Sequence, residues 1–196
     1  MVEFARKNNI LVAHDAPYTE IYFEEPPVSF LSVPGAKEVG IEFHSCSKTY
    51  QMTGWRAGWA CGNPELLKGL ATVKDNYDSG VFEAIQAAAT RALLGPQDCV
   101  EEMRRVYKER RDVFCEGLKK LGWRLTPPKA TFYVWAKPPK DTGSVETTGK
   151  ILDEVGVVCT PGNGFGPSGE GYIRFALTVP KERLKEALIR LEKLKW

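Results

Sequence analysis

The sequence predicts an α/β protein: the end of a mostly parallel sheet, followed by a small α+β domain. Two observations indicate this class. Up to residue 96, short and almost continuously apolar runs end in polar residues, which is typical of parallel strands covered by helices on both faces. Beyond it, a long amphipathic pattern precedes short strands and further helices. We therefore expect domains at residues 1–96 and 97–196, the first being the remnant of a larger sheet.

The first domain alternates helical and strand patterns. Strands are predicted at residues 10–15, 39–45 and 57–62, and helices at residues 2–9, 64–74 and 81–95. Asn63 followed by Pro64 marks a helix start, because asparagine caps the first backbone amides and proline fits the first turn. Gly95 and Pro96 end the last of these helices.

The second domain opens with a helix predicted at residues 97–122, in which apolar residues recur at helical spacing and Gly122 marks the end. Short strands are then expected at residues 123–126, 131–136, 157–160 and 172–179, and helices at residues 146–156 and 181–194. This order of elements predicts a compact α+β domain.

Charge and composition exclude several classes of partner. A net charge of +2 over 196 residues offers no concentrated basic face for nucleic acid or a membrane surface. The five cysteines form no C-x-x-C pair, so neither a disulfide framework nor a zinc site is expected. The apolar runs are too short to span a membrane, and the charged opening residues are unlike a signal peptide. We expect a cytoplasmic protein without metal, nucleic-acid or membrane partners.

The segment between the second and third predicted strands combines a lysine with groups suited to a phosphate. Ser45 and Ser47 offer hydroxyls, and Arg56 offers a planar guanidinium that can bind two oxygens at once. Lys48 lies between them, where desolvation and a cationic neighbour would favour the reactive, unprotonated amine. Each residue taken singly favours the alternative of a solvated group on a mobile loop. The combination between two strands favours a site.

Asp15 and Tyr18 follow the first predicted strand. In parallel sheets ligands gather beyond the carboxyl ends of the strands, so an aspartate there can hold a protonated ring nitrogen and a tyrosine can donate to a phenolate-like oxygen. The alternatives are a helix cap for Asp15 and a half-buried core ring for Tyr18.

Arg174 lies on the predicted strand after a glycine-rich segment and can bind a carboxylate with two N–H groups. The alternative for this arginine is a salt bridge at a strand edge. Residues 164–169 match G-x-G-x-x-G, but a strand rather than a helix follows them. We therefore expect tight turns there and no dinucleotide site.

Three segments together resemble one enzyme family. The stretch SCSKTYQMTGWRAG is similar to the cofactor-lysine motif of the class I/II aminotransferases, which are fold-type-I enzymes that use pyridoxal 5'-phosphate. HDAPYTE resembles their aspartate-tyrosine segment, and TPGNGFGPSGEGYIRFALTVPKERL resembles their carboxyl-terminal arginine segment. The segments occur in family order, and the resemblance runs over essentially the whole chain. It is strongest for the LL-diaminopimelate aminotransferase-like branch.

The resemblance implies a role for each candidate cofactor residue. Lys48 would be the catalytic residue, holding the cofactor covalently and then moving the proton at the substrate α-carbon. Asp15 would pair with the ring nitrogen, and Tyr18 would donate to the ring O3'. The phosphate would be bound by the remaining candidates of the segment, Ser45, Ser47 and Arg56.

The resemblance also implies substrates and partners. Arg174 would bind the substrate α-carboxylate, and Asn76 would contact substrate or phosphate at the active site of a partner subunit in a homodimer. The reaction would transfer an amino group between an amino acid and a 2-oxo acid, of the LL-diaminopimelate, alanine or aspartate type. Family members carry roughly as much chain again before the first residue here. We therefore expect the carboxyl-terminal part of the fold, incomplete as given.

Two other functions compete with this hypothesis. A non-catalytic remnant could self-associate or bind a partner through the surface that the rest of the fold would cover. A serine acyl-enzyme is suggested by Ser45 and Lys48, which fit S-x-x-K, but its companion motifs S-D-N and K-T-G are absent from the sequence.

Overall fold

The computed structural model describes residues 1–196, which form two units. Unit 1 comprises Met1–Arg104 and unit 2 comprises Arg105–Trp196. The boundary falls inside a 23-residue helix, α6 (Asp98–Lys120), whereas the sequence places it before this helix, at residue 96.

The first turns of α6 belong to unit 1 because their side chains contact it. The guanidinium of Arg104 lies 4.5 Å from the centroid of the Tyr22 ring, and one of its nitrogens lies 3.5 Å from a carboxylate oxygen of Glu20. These contacts stabilise the amino-terminal end of α6 on unit 1. The apolar pattern of the helix does not predict them, because Glu20 and Tyr22 are distant in sequence.

Unit 1 contains a three-stranded sheet in the order β1-β2-β3. Its strands are β1 (Val12–Asp15), β2 (Gly40–Ser45) and β3 (Gly58–Gly62). β1 and β2 run parallel, with Asp15 opposite Phe43. All three strands lie within the ranges predicted from their apolar runs.

β3 runs antiparallel to β2, which differs from the parallel arrangement that the apolar runs suggest. The chain between them contains only one α-helical turn, α3 (Cys46–Thr49), and a 3-10 turn at Thr53–Trp55. Parallel neighbours are usually joined by a crossover that includes a full helix, whereas short turns are enough to join antiparallel strands. The connection therefore reverses the chain directly.

Four further helices complete unit 1: α1 (Val2–Asn8), α2 (Ala36–Val39), α4 (Pro64–Tyr77) and α5 (Glu83–Leu94). The predicted cap of α4 is confirmed, since Oδ1 of Asn63 accepts hydrogen bonds from the Glu65 and Leu66 amides at 2.9 and 3.1 Å. A small apolar cluster packs α1 on α2 through Val2, Ala5, Ala36 and Val39.

Unit 2 contains a second, fully antiparallel sheet in the order β4-β6-β5. Its strands are β4 (Tyr133–Ala136), β5 (Thr160–Pro161) and β6 (Ile173–Ala176), and its later helices are α7 (Ser144–Val155) and α8 (Lys181–Leu191). Buried apolar side chains from the helices and strands form its core: Phe114, Leu118, Trp123, Val134, Ile151, Ile173, Phe175, Leu177 and Leu184.

Two predicted strands of unit 2 are mostly absent. The range 123–126 contributes a single bridge between Arg124 and Lys137, because the prolines that follow have no amide to extend a ladder. The range 157–160 contributes only its last residue to β5. There, left-handed Gly156 ends α7 and the Val157 amide donates back to the Ile151 carbonyl, so these residues close the helix.

The helices are amphipathic rather than uniformly apolar. α6 is the longest, and it carries charged side chains along most of its length. No helix of the chain is both long and apolar enough to cross a membrane.

Neighbouring positions of α7 give a matched test of the unit 2 core. Ile151 is fully buried, whereas Leu152 is 51% exposed. We expect Ile151→Ala to lower the free energy of unfolding by about 2–5 kcal/mol because it leaves a cavity. Leu152→Ala should change it by less than about 0.5 kcal/mol. Urea unfolding of both variants, followed by tryptophan fluorescence, measures the difference; equal losses would contradict this packing.

Candidate active site

Lys48 lies in the single helical turn α3, where the sequence suggested a loop. The turn begins directly at the end of β2, and Ser45 is its N-cap: its Oγ accepts a hydrogen bond from the Ser47 amide at 3.1 Å. Accepting this bond leaves the Ser45 hydroxyl proton available for another oxygen. The cap therefore fixes the start of the turn that carries the lysine and keeps a donor at its base.

A chain of hydrogen bonds connects Ser47 to Arg56. Oγ1 of Thr53 donates to the Ser47 carbonyl at 3.0 Å, and Nη1 of Arg56 donates to the Thr53 carbonyl at 2.9 Å. Ser47 is buried, whereas Arg56 is exposed. Arg56 also has a left-handed backbone, with φ 56°, which costs roughly 1–3 kcal/mol for a residue with a side chain. The surrounding hydrogen bonds hold this conformation.

Tyr18 lies beside Lys48. Nζ of Lys48 is 5.9 Å from the centroid of the Tyr18 ring. The tyrosine is half-buried on the turn after β1, where its carbonyl accepts a hydrogen bond from the Ile21 amide at 2.9 Å. The turn therefore places an aromatic ring near the amine.

Asp15 is exposed at the last position of β1. It is paired in register with Phe43, and Ser45 lies two positions further along β2. Because side chains alternate between faces, Asp15 and Ser45 share one face of the sheet. Turns rather than a helix follow β1, so the helix-cap alternative for Asp15 does not apply.

Arg174 lies in unit 2 on β6, the central strand of its sheet, so the alternative of a strand-edge salt bridge does not apply. Its guanidinium carbon lies 4.3 Å from the Tyr133 ring centroid and 4.2 Å from the Phe165 ring centroid. Its Nε is buried without a hydrogen-bond partner. The two rings thus restrict the orientation of the guanidinium plane. At least one of its N–H groups, at Nε, has no acceptor.

The glycine-rich segment before β6 forms two 3-10 turns, as the sequence predicted in outline. Gly162 and Gly169 approach so closely that a Cβ on either would lie within about 2 Å of the other's carbonyl oxygen. Glu170 ties the segment to α7, since its carboxylate accepts hydrogen bonds from the amide and the hydroxyl of Ser144 at 2.6 and 3.0 Å. These contacts fix the loop that carries Phe165.

Asn76 lies inside the last turn of α4, not in a loop. Its side chain is exposed, and its Nδ2 donates to the Thr72 carbonyl one turn earlier at 2.8 Å. Unit 1 thus brings together Tyr18 and Lys48, links Ser47 to Arg56 by hydrogen bonds, and leaves Asn76 bonded within its own helix.

A buried polar cluster escaped the sequence analysis. Glu42 on β2 is only 1% exposed, and imidazole nitrogens of His14 and His44 lie 2.9 and 2.8 Å from its carboxylate oxygens. The Ser29 hydroxyl at 3.0 Å and the Phe30 amide at 2.8 Å complete the set. The available signal was a glutamate inside an apolar strand with a histidine two residues later.

The cluster keeps Glu42 ionised in spite of its burial. Burial alone raises the pKa of this carboxyl, but the hydrogen bonds from His14 and Ser29, the electrostatic interaction with His44 and the hydrogen bond from the Phe30 amide together hold the pKa below its usual value.

Three of the five cysteines are poor nucleophiles in the folded protein. Burial raises the pKa of Cys46, the residue between Ser45 and Ser47. Burial also raises the pKa of Cys115 to about 11 and that of Cys159 to about 12. Cys99 is exposed. No group of three or more histidine, cysteine, aspartate or glutamate side chains is placed to hold a metal ion.

The family is decided by comparison with known proteins. The model for "Aminotransferase class I and II" matches residues 1–191. The chain belongs to the class I and II aminotransferases. This family consists of enzymes, and it is generally dependent on pyridoxal phosphate.

Several relatives carry a more specific name. LL-diaminopimelate aminotransferases of Moorella thermoacetica and Desulforudis audaxviator are 54% and 55% identical, over 99% and 97% of this chain. That of Aquifex aeolicus is 53% identical over the whole chain. The matches cover 50%, 49% and 51% of those proteins, so the chain spans about half the length of the curated relatives it matches.

Solved structures give the same fold. Substrate-bound BacF from Bacillus subtilis superposes with a TM-score of 0.96 at 38% identity, over the whole chain and 50% of that protein. A probable N-succinyldiaminopimelate aminotransferase from Thermus thermophilus gives a TM-score of 0.91 at 37% identity, over 97% of this chain and 51% of that protein. The chain thus corresponds to the carboxyl-terminal part of fold-type-I aminotransferases, which confirms the predicted fold class.

Thiol reactivity tests the burial of the cysteines. In the folded protein at pH 8 we expect iodoacetamide to alkylate Cys99 first. Cys115 should react only on unfolding, because it is buried and its thiol stays protonated, and partly exposed Cys159 should react slowly because its thiol also stays protonated. The thiolate fraction would grow only as the pH approaches 11 for Cys115 and 12 for Cys159, so a moderately alkaline pH should not speed their alkylation. Peptide mass spectrometry over time measures each rate, and fast labelling of Cys115 would contradict the prediction.

Proposed function

We propose that this chain carries the lysine-bearing part of a pyridoxal 5'-phosphate-dependent aminotransferase. The observation that supports this most is the position of Lys48 in α3, at the end of β2 and beside Tyr18. The reaction would transfer an amino group between an amino acid and a 2-oxo acid. Because several relatives at 51–55% identity are LL-diaminopimelate aminotransferases, we propose LL-diaminopimelate as the amino donor ahead of alanine or aspartate.

The donor set of unit 1 fits the cofactor. Ser45 has a hydroxyl proton to give, and Arg56 presents an exposed guanidinium, so both suit the phosphate, with Ser47 as a helper. Asp15 shares the sheet face of Ser45 and can hold a proton at the ring nitrogen. When bound, the cofactor supplies an electron sink for negative charge at the substrate α-carbon.

Lys48 and Tyr18 would serve the reacting atoms. Lys48 would anchor the cofactor covalently through Nζ, and its amine would then move the proton at the substrate α-carbon. The Tyr18 hydroxyl would donate to the ring O3'. Both roles need side chains close to one another, in agreement with the 5.9 Å between Nζ and the ring centroid.

Arg174 is proposed to bind the substrate α-carboxylate. A guanidinium held between the Tyr133 and Phe165 rings loses little further freedom when it accepts a planar anion. Its terminal N–H groups can form two parallel hydrogen bonds to a carboxylate. The arginine would thereby set the orientation of the amino acid.

A homodimer is proposed from the surface of α4 and α5. These helices contain no buried side chains, and four large apolar side chains in and between them are strongly exposed: Val73 at 67%, Tyr77 at 87%, Phe82 at 72% and Leu94 at 82%. Apolar surface of this kind is usually covered in an assembly. Asn76 on α4 would then face the active site of the partner subunit.

Association can be tested with matched charge substitutions. We expect the purified chain to sediment as a dimer and Tyr77→Asp to weaken association by at least roughly tenfold, because it would bury a charge. Leu152→Asp on exposed α7 of unit 2 is the control and should leave the dimer unchanged. Sedimentation velocity over a concentration series gives both results; a wild-type monomer at all concentrations would refute the homodimer.

The cofactor proposal is tested by covalent labelling. Pyridoxal 5'-phosphate is added to the chain, borohydride reduces the adduct, and peptide mass spectrometry locates the label. We expect it at Lys48, because this lysine alone combines the Tyr18 contact with the Ser45 and Arg56 donors. Lys48→Ala should remove the label, whereas Lys68→Ala, on exposed α4, should leave it unchanged.

Label scattered over many lysines would count against cofactor recognition by this chain. Together with a stable dimer, it would favour the other hypothesis, a non-catalytic domain that self-associates or binds a partner. Label confined to Lys48 would justify a transamination assay with LL-diaminopimelate and 2-oxoglutarate, in the presence of the amino-terminal half of a relative.

A further inference from the structure

Glu42 is the most deeply buried carboxylate that the proposed chemistry does not use. It is 1% exposed and lies in the middle of β2, between strands on both sides. An ionised carboxylate withdrawn from water is destabilising by several kcal/mol unless hydrogen bonds compensate it. An apolar residue would fill the same space without that requirement. The charge therefore calls for an explanation beyond packing.

The contacts of Glu42 come from both sides of the β1–β2 pair. His14 is its register partner on β1, and Nδ1 of His14 lies 2.9 Å from Oε2. His44 follows two positions along β2, with Nε2 2.8 Å from Oε1. The Ser29 hydroxyl and the Phe30 amide approach from the connection between the strands, at 3.0 and 2.8 Å. One carboxylate thus joins β1, β2 and their connection.

The cluster lies directly behind the candidate site. His14 precedes Asp15, and His44 precedes Ser45, the N-cap of the turn that carries Lys48. Since side chains alternate along a strand, the histidines and Glu42 occupy the sheet face opposite Asp15 and Ser45. Movement of either strand end would therefore be transmitted to the cofactor side through the backbone.

We propose that Glu42 is a positioning residue: by bonding His14 and His44, it fixes the carboxyl ends of β1 and β2 so that Asp15 stands in a set relation to Ser45 and Lys48. This inference rests on the proposed function. The register itself supplies the physical reason. If β1 slipped by one residue, Asp15 or Ala13 would face Glu42 in place of His14, and the buried carboxylate would meet a like charge or no donor.

The first test is the protonation of the two imidazoles. A carboxylate only accepts hydrogen bonds, so the cluster requires the proton of His14 on Nδ1 and that of His44 on Nε2. The chain contains two histidines, and nitrogen-15 NMR of the neutral rings, assigned with His14→Gln, distinguishes the tautomers. We expect opposite tautomers that become mixed in Glu42→Gln. Identical tautomers in the wild type would overturn the proposal.

The second test measures position rather than stability. Glu42→Gln keeps the shape but cannot accept from both imidazoles, and Val39→Ala, which truncates the α1–α2 cluster, is a control for a general loss of stability. We expect hydrogen exchange at the Ala16 and Ser47 amides to accelerate at least roughly tenfold in Glu42→Gln, because bonds to a charged group are lost. Val39→Ala should accelerate exchange evenly across unit 1. If exchange became faster evenly across unit 1 in both variants, Glu42 would contribute only to stability, and the positioning proposal would be wrong.

Cofactor labelling separates this inference from the proposed function. If wild-type Lys48 is labelled selectively, Glu42→Gln should lower the share of label at Lys48 several-fold, while Glu38→Gln, at an exposed position of α2, should not. Unchanged selectivity in Glu42→Gln would refute positioning. If the wild type shows no selectivity, the cofactor proposal fails for this chain, and the exchange and tautomer results still decide whether Glu42 sets the strand ends.

Discussion

The parallel pairing of β1 with β2 is the constraint on which the candidate site depends. Asp15 ends one strand, Ser45 ends the other and Lys48 lies in the turn that follows, so the register sets how these groups are placed relative to one another. Parallel pairs join segments distant in sequence and are slightly less stable per residue than antiparallel ones. Apolar side chains alone would accept more than one register. The buried carboxylate of Glu42 requires hydrogen-bond donors at fixed positions on both strands, so it favours a single register.

Unit 1 and unit 2 hold their candidate site residues by different means. In unit 1, hydrogen bonds between short turns position Ser47 and Arg56, and the left-handed backbone at Arg56 shows that they outweigh local strain. In unit 2, aromatic rings restrain Arg174, and the glycine-rich loop fixes one of those rings. A phosphate group needs several convergent donors, whereas a carboxylate needs one well-oriented guanidinium.

Much of the fold follows from local pattern, and the exceptions have identifiable causes. The strands of unit 1, the cap at Asn63 and the long α6 are visible in the sequence because periodicity and capping are local properties. The antiparallel direction of β3 and the loss of a strand at residues 123–126 depend on the geometry of connections. The candidate site residues of unit 1 were predicted from their chemistry and from the resemblance, and their roles stay predictions. Glu42 was missed because its partners, His14 and Ser29, are brought to it by tertiary structure.

The crossing of Gly162 and Gly169 has a consequence for how the glycine pattern of this segment is interpreted. The spacing imitates a nucleotide-binding loop, yet its glycines have separate causes: Gly169 lies in the near contact of two stretches of main chain, with no space for a methyl group, and Gly166 has a positive φ of 113°. A side chain at Gly162 or Gly169 would push apart the segment that holds Phe165 and loosen one side of the aromatic clamp around Arg174. If Arg174 and Lys48 have the roles proposed above, such a variant would bind the amino acid poorly while its lysine still took up the cofactor.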